Sequence, residues 1–239
     1  MISVVVPAFN EEAVLAHSLS RLCRFLAERG EPFEVLVVDD GSADRTAAVA
    51  EARAREDPRL RLLRLARNRG KGAAVREGVR AARGDFVFFL DADLSTPPEA
   101  IETFLPALHD GAGVVLGSRR IAGSVLERRQ PRAREVLGKG FTWIARALVA
   151  PGVRDFTCGF KGFSAAACRE IFARQTVDRW AFDAEIVAIA RARGIPIREV
   201  PVRWTNDPDT KVRLGLDLPR SLLEILRIAA RRLLGRYRR

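Results

Sequence analysis

Apolar runs of strand length alternate with helix-spaced segments through the first half of the chain. Ile2–Val6 and Phe33–Val38 are short apolar runs bounded by turn residues, which is typical of buried strands. Glu11–Arg29 instead repeats leucines every three to four residues and stops at Gly30, as an amphipathic helix does. The same criteria predict further strands at 60–65, 85–90 and 114–116, and further helices near 44–56, 71–82 and 98–108.

Strand and helix therefore alternate about every 25–30 residues, which predicts an α/β domain with a mostly parallel sheet and helices on both faces. In such Rossmann-like sheets, ligands bind beyond the carboxyl ends of the strands. Polar clusters follow four of the predicted strands, and we expect them to meet at that edge. They are Asn10–Glu12, Asp39–Ser42, Asn68–Gly72 and Asp91–Asp93.

The second half of the pattern is less regular. Residues 118–134 contain Arg and Gly and predict a loop, whereas 136–149 have helical spacing. Ile197–Trp204 alternates as a single strand does, and 218–235 forms a basic helix with an apolar stripe. We expect one domain over residues 1–216, followed by a basic amphipathic helix at 217–239. Two more helices are predicted, from residue 164 and over 183–193.

Positive charge is concentrated in two segments of the chain. The formal net charge is +11. Residues 119–134 hold six Arg and one Glu, and residues 217–239 hold seven Arg, one Asp and one Glu. Each segment is therefore net +5, and the remaining chain is nearly balanced. Focal basic charge indicates a phosphate-rich partner, which could be a nucleotide, nucleic acid or an anionic membrane.

Other features of the sequence exclude some classes of protein. Three cysteines at irregular spacing predict neither a disulfide framework nor a zinc site, and they favour a reducing, cytosolic compartment. The amino terminus lacks the pattern of a signal peptide, and no window has the roughly 20 apolar residues of a membrane span. Nucleic acid is disfavoured because no recognition motif or aromatic stacking motif accompanies the basic segments.

The strand-end clusters carry residues suited to a nucleotide and a metal. Asp91 and Asp93 alternate at a strand end, and two carboxylates together with diphosphate oxygens suit Mg²⁺ or Mn²⁺. Asp39 and Asp40 precede Gly-Ser, where a carboxylate either caps the next helix or accepts a hydrogen bond from a nucleoside. The 67–72 segment, RNRGKG, combines glycine backbone with cations near a helix start, which suits phosphate, although it is not a P-loop.

Seven motifs together resemble one enzyme family over about residues 2–230. VVVPAFNEE, VVDDGSADRT, RNRGKGAAVREGV, DADLSTPPE, GSRR, RDFTCGFKGF and RWAFDAEIVAIA occur in this order. The chain thereby resembles the family 2 glycosyltransferases of the GT-A fold. Within that family it is most similar to the dolichyl-phosphate β-glucosyltransferases, with the polyprenyl-phosphate mannosyltransferases close behind.

The resemblance implies a role for each matched residue. Asp91 and Asp93 would hold the metal, although Leu94-Ser95-Thr96 departs from the mannosyl enzymes and leaves a third metal contact open. Asp183 would face the sugar or the acceptor. The nucleotide-sugar pocket would be lined by Pro7, Ala8, Asn10, Glu12, Asp39, Asp40, Lys71, Asp91 and Ala92. Arg119 would contact the acceptor or donor phosphate. Independently of the resemblance, the basic segment 119–134 suits charge compensation at the reacting phosphates, and its candidates for holding the acceptor phosphate are Arg119, Arg128, Arg132 and Arg134.

The activity implied is transfer of a hexose, with inversion, from a nucleotide sugar to a polyprenyl phosphate. UDP-glucose is the expected donor, and GDP-mannose, another UDP-sugar or a non-lipid acceptor are alternatives. A lipid phosphate is largely ionised at pH 7, so it needs positioning and charge compensation more than a base. A catalytically silent nucleotide-sugar binder and a nucleic-acid-binding protein are the alternatives from other classes.

The basic segment 217–239 has two interpretations. It is either a last core helix with a solvated tail or an interfacial helix on an anionic leaflet. Since a long isoprenoid phosphate stays in the bilayer, we expect the second, with the chain peripheral on the cytoplasmic face of the cell membrane. Trp180 and Trp204 would belong either to that surface or to the core.

Overall fold

The computed structural model of the chain describes residues 1–128, 140, 142–149, 151–205 and 214–238. Through the first half, strands and helices alternate as the hydrophobic pattern predicts. The elements are β1 (Ile2–Ala8), α1 (Glu12–Glu28), β2 (Phe33–Asp39), α2 (Thr46–Glu56), β3 (Leu60–Arg64), α3 (Lys71–Ala81), β4 (Phe86–Phe89), a 3₁₀ turn (Pro98–Ala100), α4 (Ile101–His109) and β5 (Val114–Ser118).

Further elements follow in the second half of the chain. They are β6 (Val125–Arg128), α5 (142–148), β7 (Lys161–Ser164), α6 (Ala165–Arg174), α7 (Phe182–Ala192), β8 (Ile197–Pro201), β9 (Arg203–Thr205) and α8 (Leu214–Leu233). The boundary that we predict between 216 and 217 lies inside α8, which begins earlier than the pattern indicates. A division into two units therefore stays a prediction.

In the part of the chain that the structure describes, seven strands form the main sheet, in the order β3-β2-β1-β4-β7-β5-β8. All neighbouring pairs are parallel except those made by β7, which lies antiparallel between β4 and β5. The register of β7 places Lys161 opposite Phe89, the last residue of β4. This insertion brings the second half of the chain to the strand end that carries the DAD motif.

Two of our expectations for the second half are wrong. The predicted loop 118–134 contains β6, which pairs with β9 in a separate two-stranded sheet. The single strand predicted over Ile197–Trp204 is two strands in different sheets. The chain changes sheet at Val202, whose N–H donates to the Ser118 carbonyl at 3.2 Å and whose carbonyl accepts from Val125 at 3.1 Å. Alternation of apolar residues continues through the break, so the pattern does not reveal it.

The sheet is covered by a hydrophobic core on each face. One core joins alternate residues of β1 and β2 to α1 and α4, and it includes Leu15 and Phe104. The other joins the opposite faces of the same strands to α3, α6, α7 and α8, and Ile225 and Ile228 of α8 are fully buried in it. In the described residues, no helix has an apolar stretch of the length that a membrane span requires.

Candidate active site

Hydrogen bonds join the β1–α1 loop to the β2–α2 loop at the carboxyl edge of the sheet. The amide of Asn10, which has a positive φ of 55°, donates to Ser42 Oγ at 3.0 Å, and Asn10 Oδ1 accepts from the Ala43 amide at 3.0 Å. Glu12 accepts from the Arg45 amide at 2.9 Å. Asn10 and Glu12 therefore shape the two loops that end β1 and β2, next to the predicted pocket residues Pro7 and Ala8.

Asp40 holds the segment that we predict to bind phosphate. Its Oδ1 accepts from the Arg69 amide at 2.8 Å, and its Oδ2 accepts from the Gly70 amide at 2.7 Å and from Asn68 Nδ2 at 3.1 Å. Burial raises the pKa of Asp40, and these backbone donors oppose that shift. Because a carboxylate has about four acceptor positions, one on Oδ1 is left for a ligand.

Asp39 keeps an oxygen without a hydrogen bond. The side chain is fully buried, and Oδ1 accepts from the Ser42 amide at 3.0 Å. Oδ2 lies 3.4 Å from Arg64 Nε in a geometry that does not make a hydrogen bond, and this buried atom has no hydrogen-bond partner among the described residues. Buried acceptors without partners are rare, so Asp39 joins Asp40 as a candidate acceptor for a nucleoside N–H or hydroxyl.

Lys71, the first residue of α3, forms an ion pair with Asp91 at the end of β4. Burial lowers the pKa of the Lys71 ammonium, but the charges of Asp91 and Asp183 outweigh that effect, so its pKa lies above the ordinary value. Gly159 makes room for Asp91, since a Cβ there would lie 1.8 Å from Asp91 Oδ2. The site thus presents an ammonium group and a carboxylate side by side.

Asp93 completes a pair of carboxylates with Asp91, separated by the buried Ala92. Its Oδ1 accepts from the Ser95 amide at 2.8 Å. Burial and the neighbouring charge of Asp91 raise the pKa of Asp93, which indicates a place where a further cation would be favourable. Among the described residues, no group of three or more His, Cys, Asp or Glu side chains is arranged to hold a metal ion. The pair therefore fits a hard divalent ion whose other ligands are diphosphate oxygens and water.

Arg119, which we predict to contact a phosphate, is held at the end of β5 by Asp155. Its Nε and Nη2 donate to the two oxygens of Asp155 at 2.7 and 2.9 Å, and Nη2 also donates to Thr157 at 2.9 Å. Burial alone would raise the pKa of Asp155, but the charge and hydrogen bonds of Arg119 bring it to about 2. The guanidinium lies 5.1 Å from the centre of the Trp204 ring.

Asp183 is buried at the start of α7 and is anchored by a residue that the sequence analysis did not select. Lys161 of β7 is fully buried, and its Nζ donates at 2.6 Å to both Asp183 Oδ1 and the Cys158 carbonyl. Burial raises the pKa of Asp183, and Lys161 and Lys71 oppose that shift. A lone lysine between glycines in the apolar run GFKGF was the available signal, since lysine is rarely fully buried without a partner.

The structure brings most of the predicted residues to one edge of the sheet, but not all of them can be placed. Arg128 ends β6, and its side chain is outside the described part of the chain. Arg132 and Arg134 lie in the undescribed segment 129–139, so their assignment to an acceptor phosphate stays a prediction.

Comparison with known proteins gives a consistent family. The model of glycosyl transferase family 2 matches residues 3–172. A dolichyl-phosphate beta-glucosyltransferase from Dictyostelium discoideum is 35% identical, covering 98% of this chain and 75% of that protein. The human protein of that name is 34% identical, covering 88% of this chain and 69% of its own length.

Solved structures agree on the fold. Glucosyl-3-phosphoglycerate synthase from Mycobacterium tuberculosis in complex with UDP has a TM-score of 0.70 at 20% identity, over 96% of this chain and 80% of that one. A complex of the same synthase with Mn²⁺, UDP-glucose and phosphoglyceric acid also has a TM-score of 0.70. With the family model covering most of its length, the chain belongs to glycosyl transferase family 2 and is a glycosyltransferase of the GT-A fold.

Proposed function

We propose that this glycosyltransferase moves glucose, with inversion, from UDP-glucose to a polyprenyl phosphate at a membrane surface. The observation that carries the proposal is the group of Lys71, Asp91 and Asp93 at the strand ends. It occurs in a chain that is 30–36% identical to proteins named dolichyl-phosphate beta-glucosyltransferases. Those relatives match over 88–99% of this chain.

The donor would lie with its diphosphate at the carboxyl ends of β1, β2 and β4. Asp91 and Asp93 would hold Mg²⁺ or Mn²⁺, which when bound neutralises charge on the departing nucleoside diphosphate. The solved complex of glucosyl-3-phosphoglycerate synthase with Mn²⁺ and UDP-glucose supports this choice of donor and metal class. Lys71 would stabilise the same diphosphate, while Asp39 and Asp40 would accept hydrogen bonds from the nucleoside.

The environment of Asp183 supports a phosphate acceptor. A hydroxyl acceptor needs a positioned general base, but Asp183 is anchored by the Lys161 ammonium at 2.6 Å. A phosphate monoester is already an anion at pH 7 and attacks without such help. Arg119, kept in place by Asp155, would compensate the charge of the acceptor. Asp183 then orients its lysine neighbours rather than accepting a proton.

The location proposed for the enzyme is peripheral, on the cytoplasmic face of the cell membrane. A polyprenyl chain does not leave the bilayer, so the site must approach the headgroups. The seven arginines of segment 217–239 support this, because a basic residue near an anionic surface contributes about 1 kcal/mol.

A panel of donors tests the proposal. UDP-glucose, UDP-galactose, UDP-N-acetylglucosamine and GDP-mannose are each offered with a polyprenyl phosphate in detergent, with Mg²⁺, Mn²⁺ or EDTA. We expect glucosyl transfer from UDP-glucose only, and none in EDTA. Transfer from GDP-mannose alone would show that the assignment of UDP-glucose as the donor is wrong. 3-Phosphoglycerate is offered in parallel as a non-lipid acceptor. If the enzyme prefers it to the lipid, the assignment of polyprenyl phosphate as the acceptor is wrong.

A further inference from the structure

Large apolar side chains lie exposed on two helices in the second half of the chain. On α5, Trp143 is 71% exposed, and Ile144 and Leu148 are also exposed. On α8, Leu223, Leu226 and Leu233 are 57%, 55% and 86% exposed. We call these six residues the apolar face. Isolated exposed leucines are common, but an exposed tryptophan grouped with aliphatic residues marks an interaction surface.

The two helices that carry the apolar face are neighbours. Arg232 Nη1 of α8 donates to the Leu148 carbonyl, at the end of α5, at 3.1 Å. The inner sides of both helices also belong to the same hydrophobic core, through Ala145 on α5 and through Ile225 and Ile228 on α8. The end of α5 therefore lies against the last turns of α8, where Leu148 and Leu233 are both exposed.

On α8 the exposed residues follow the period of a helix. Leu223, Leu226 and Leu233 are spaced by three and seven residues, and so they share one side. Ser221, Ile225 and Ile228 are spaced by four and three residues and are buried on the other side. A helix that is apolar on two opposite sides has one side for the core and a second side for another partner.

Arginines border this second side. Arg220 and Arg227 are exposed and lie seven residues apart, so they share one side of α8. That side is adjacent to the side that carries Leu223 and Leu226. Segment 217–239 carries a net charge of +5. An apolar stripe beside arginines fits an anionic lipid surface, in which leucines enter the acyl boundary and guanidinium groups meet headgroups.

We propose that the apolar face docks this enzyme on an anionic bilayer, with Trp143 of α5 inserted at the headgroup level beside α8. Tryptophan favours that depth because its ring is apolar and its indole N–H is polar. The docking surface is thus built from two helices and extends beyond the carboxyl-terminal segment. It rests on the proposed function in one respect, since the acceptor lipid is the reason for approaching a membrane.

Vesicle binding of the full-length chain tests the inference. Vesicles are made of phosphatidylcholine alone or with about 30% phosphatidylserine, and binding is measured by co-sedimentation. We expect Trp143→Ser/Leu226→Ser to weaken binding to the anionic vesicles at least about tenfold, because two apolar anchors are lost. Arg220→Glu/Arg227→Glu should weaken it similarly, and both effects should be absent without phosphatidylserine, where the parent itself binds weakly.

A matched pair controls for charge. Arg24→Glu/Arg55→Glu makes the same change in net charge on exposed residues of α1 and α2, which cover the opposite face of the sheet. We expect this variant to bind anionic vesicles much more tightly than the Arg220/Arg227 variant does. Equal losses for the two pairs would overturn docking through α8, because total charge alone would then explain binding.

Fluorescence measures how deeply Trp143 enters the bilayer. Trp180→Phe/Trp204→Phe leaves Trp143 as the single tryptophan, and brominated acyl chains in the anionic vesicles should quench it and shift its emission to the blue. An unchanged spectrum would overturn the insertion of α5. Conversion of a dimer to a monomer by Trp143→Ser/Leu226→Ser, with unchanged vesicle binding, would show instead that a second copy covers the face.

Failure of the docking surface and failure of the proposed function are distinguishable. With a polyprenyl phosphate dissolved in detergent, Trp143→Ser/Leu226→Ser should transfer glucose at the parent rate, since neither residue lies at the site. Transfer in detergent without vesicle binding by the parent would overturn docking alone. Vesicle binding by the parent without transfer from any donor would overturn the proposed function alone.

Discussion

Lys71 and Lys161 place two ammonium groups next to two carboxylates, Asp91 and Asp183, inside the site. Each lysine reaches its partner from a different element, α3 in one case and β7 in the other. A buried charge is costly unless it is paired, and removal of one partner leaves the other uncompensated. The individual charges of the site are therefore coupled, so a substitution at one of them acts on its partners.

Asp93→Asn tests the metal at the level of one side chain. The amide keeps the shape of the residue but removes the charge, so we expect kcat to fall about 100-fold or more, corresponding to several kcal/mol of lost transition-state stabilisation. Transfer is measured at saturating Mn²⁺. The control is Asp85→Asn, an exposed carboxylate paired with the amino terminus, which should leave the rate unchanged. A full rate for Asp93→Asn would remove Asp93 from the metal site.

Lys161→Met tests the buried ion pair. Because Asp183 would lose its partner in the interior, the free energy of unfolding should fall by about 3–5 kcal/mol, as measured by urea denaturation. The double variant Lys161→Met/Asp183→Leu removes both charges and should regain most of that stability without regaining activity. If the single variant is as stable as the parent, Lys161 does not anchor Asp183.

Elements meet at this site because a glycine-containing segment, 155–160, passes close to the end of β4. Gly159 stands where a Cβ would collide with Asp91. Asp155, four residues earlier, accepts a hydrogen bond from Arg119 at the end of β5. One segment thus positions both the predicted metal site and the predicted phosphate contact, and it is adjacent to β7.

Gly159→Ala tests the close approach of these elements. The added methyl must displace the Asp91 carboxylate, and misplacement of a reacting group by about 1 Å costs about 100-fold in rate. The overpacking should cost only about 1–3 kcal/mol of stability. Gly140→Ala is the control, because no atom of another element in the described residues lies within 4 Å of its Cβ position. Equal activities of the two variants would contradict the expected collision between the added methyl group and the Asp91 carboxylate.

Acid titration tests the link between β5 and the 155–160 segment. The pKa of Asp155 is about 2 in the folded chain and about 3.9 in an unfolded one. Its ion pair therefore contributes stability above pH 4 and loses that contribution as the pH falls from 4 to 2. Asp155→Asn should be less stable than the parent by about 2 kcal/mol at pH 6. The difference should disappear near pH 2, and a constant difference would contradict the pairing.

At the scale of the whole molecule, the carboxyl-terminal helix is part of the core as well as a candidate membrane surface. Tyr237 Oη donates to the fully buried Glu185 at 2.9 Å. Arg231 lies 3.4 Å from the same carboxylate. Glu185 in turn accepts from the Thr176 and Val177 amides at 2.8 and 2.7 Å. On its inner side the segment is thus a core helix, as the first of its two interpretations has it, but Tyr237 near its end is buried rather than solvated.

Truncation after residue 216 should unfold the chain or lower its Tm sharply. It removes Ile225, Ile228 and Tyr237 from the core and leaves Glu185 without two partners. Each large apolar side chain removed costs about 2–5 kcal/mol, against a total stability of about 5–15 kcal/mol. Calorimetry measures the effect, and truncation after Tyr237 is the control. A truncated chain with the Tm of the parent would show that α8 is an independent unit.

The sequence predicts more of the fold than of the site. Local periodicity identifies the elements as far as Ser118, since burial on one face leaves a repeated signal. It also identifies the strand ends that carry Asp40, Asp91 and Asp93. The roles of Lys161 and Asp155 are not predicted, because each depends on a partner 22 or 36 residues away. Such a long-range pairing leaves no local pattern in the sequence.

From the sequence alone, the alternation of strands and helices, the charged strand ends and the family could be predicted. These follow from short-range patterns and from motifs that can be read in order along the chain. Three-dimensional packing was needed to show that β7 enters the sheet antiparallel between β4 and β5, which places Lys161 beside Asp183 and opposite the end of β4. It also decided which side of α8 is buried, because a helix that is apolar on two sides has no local preference between them.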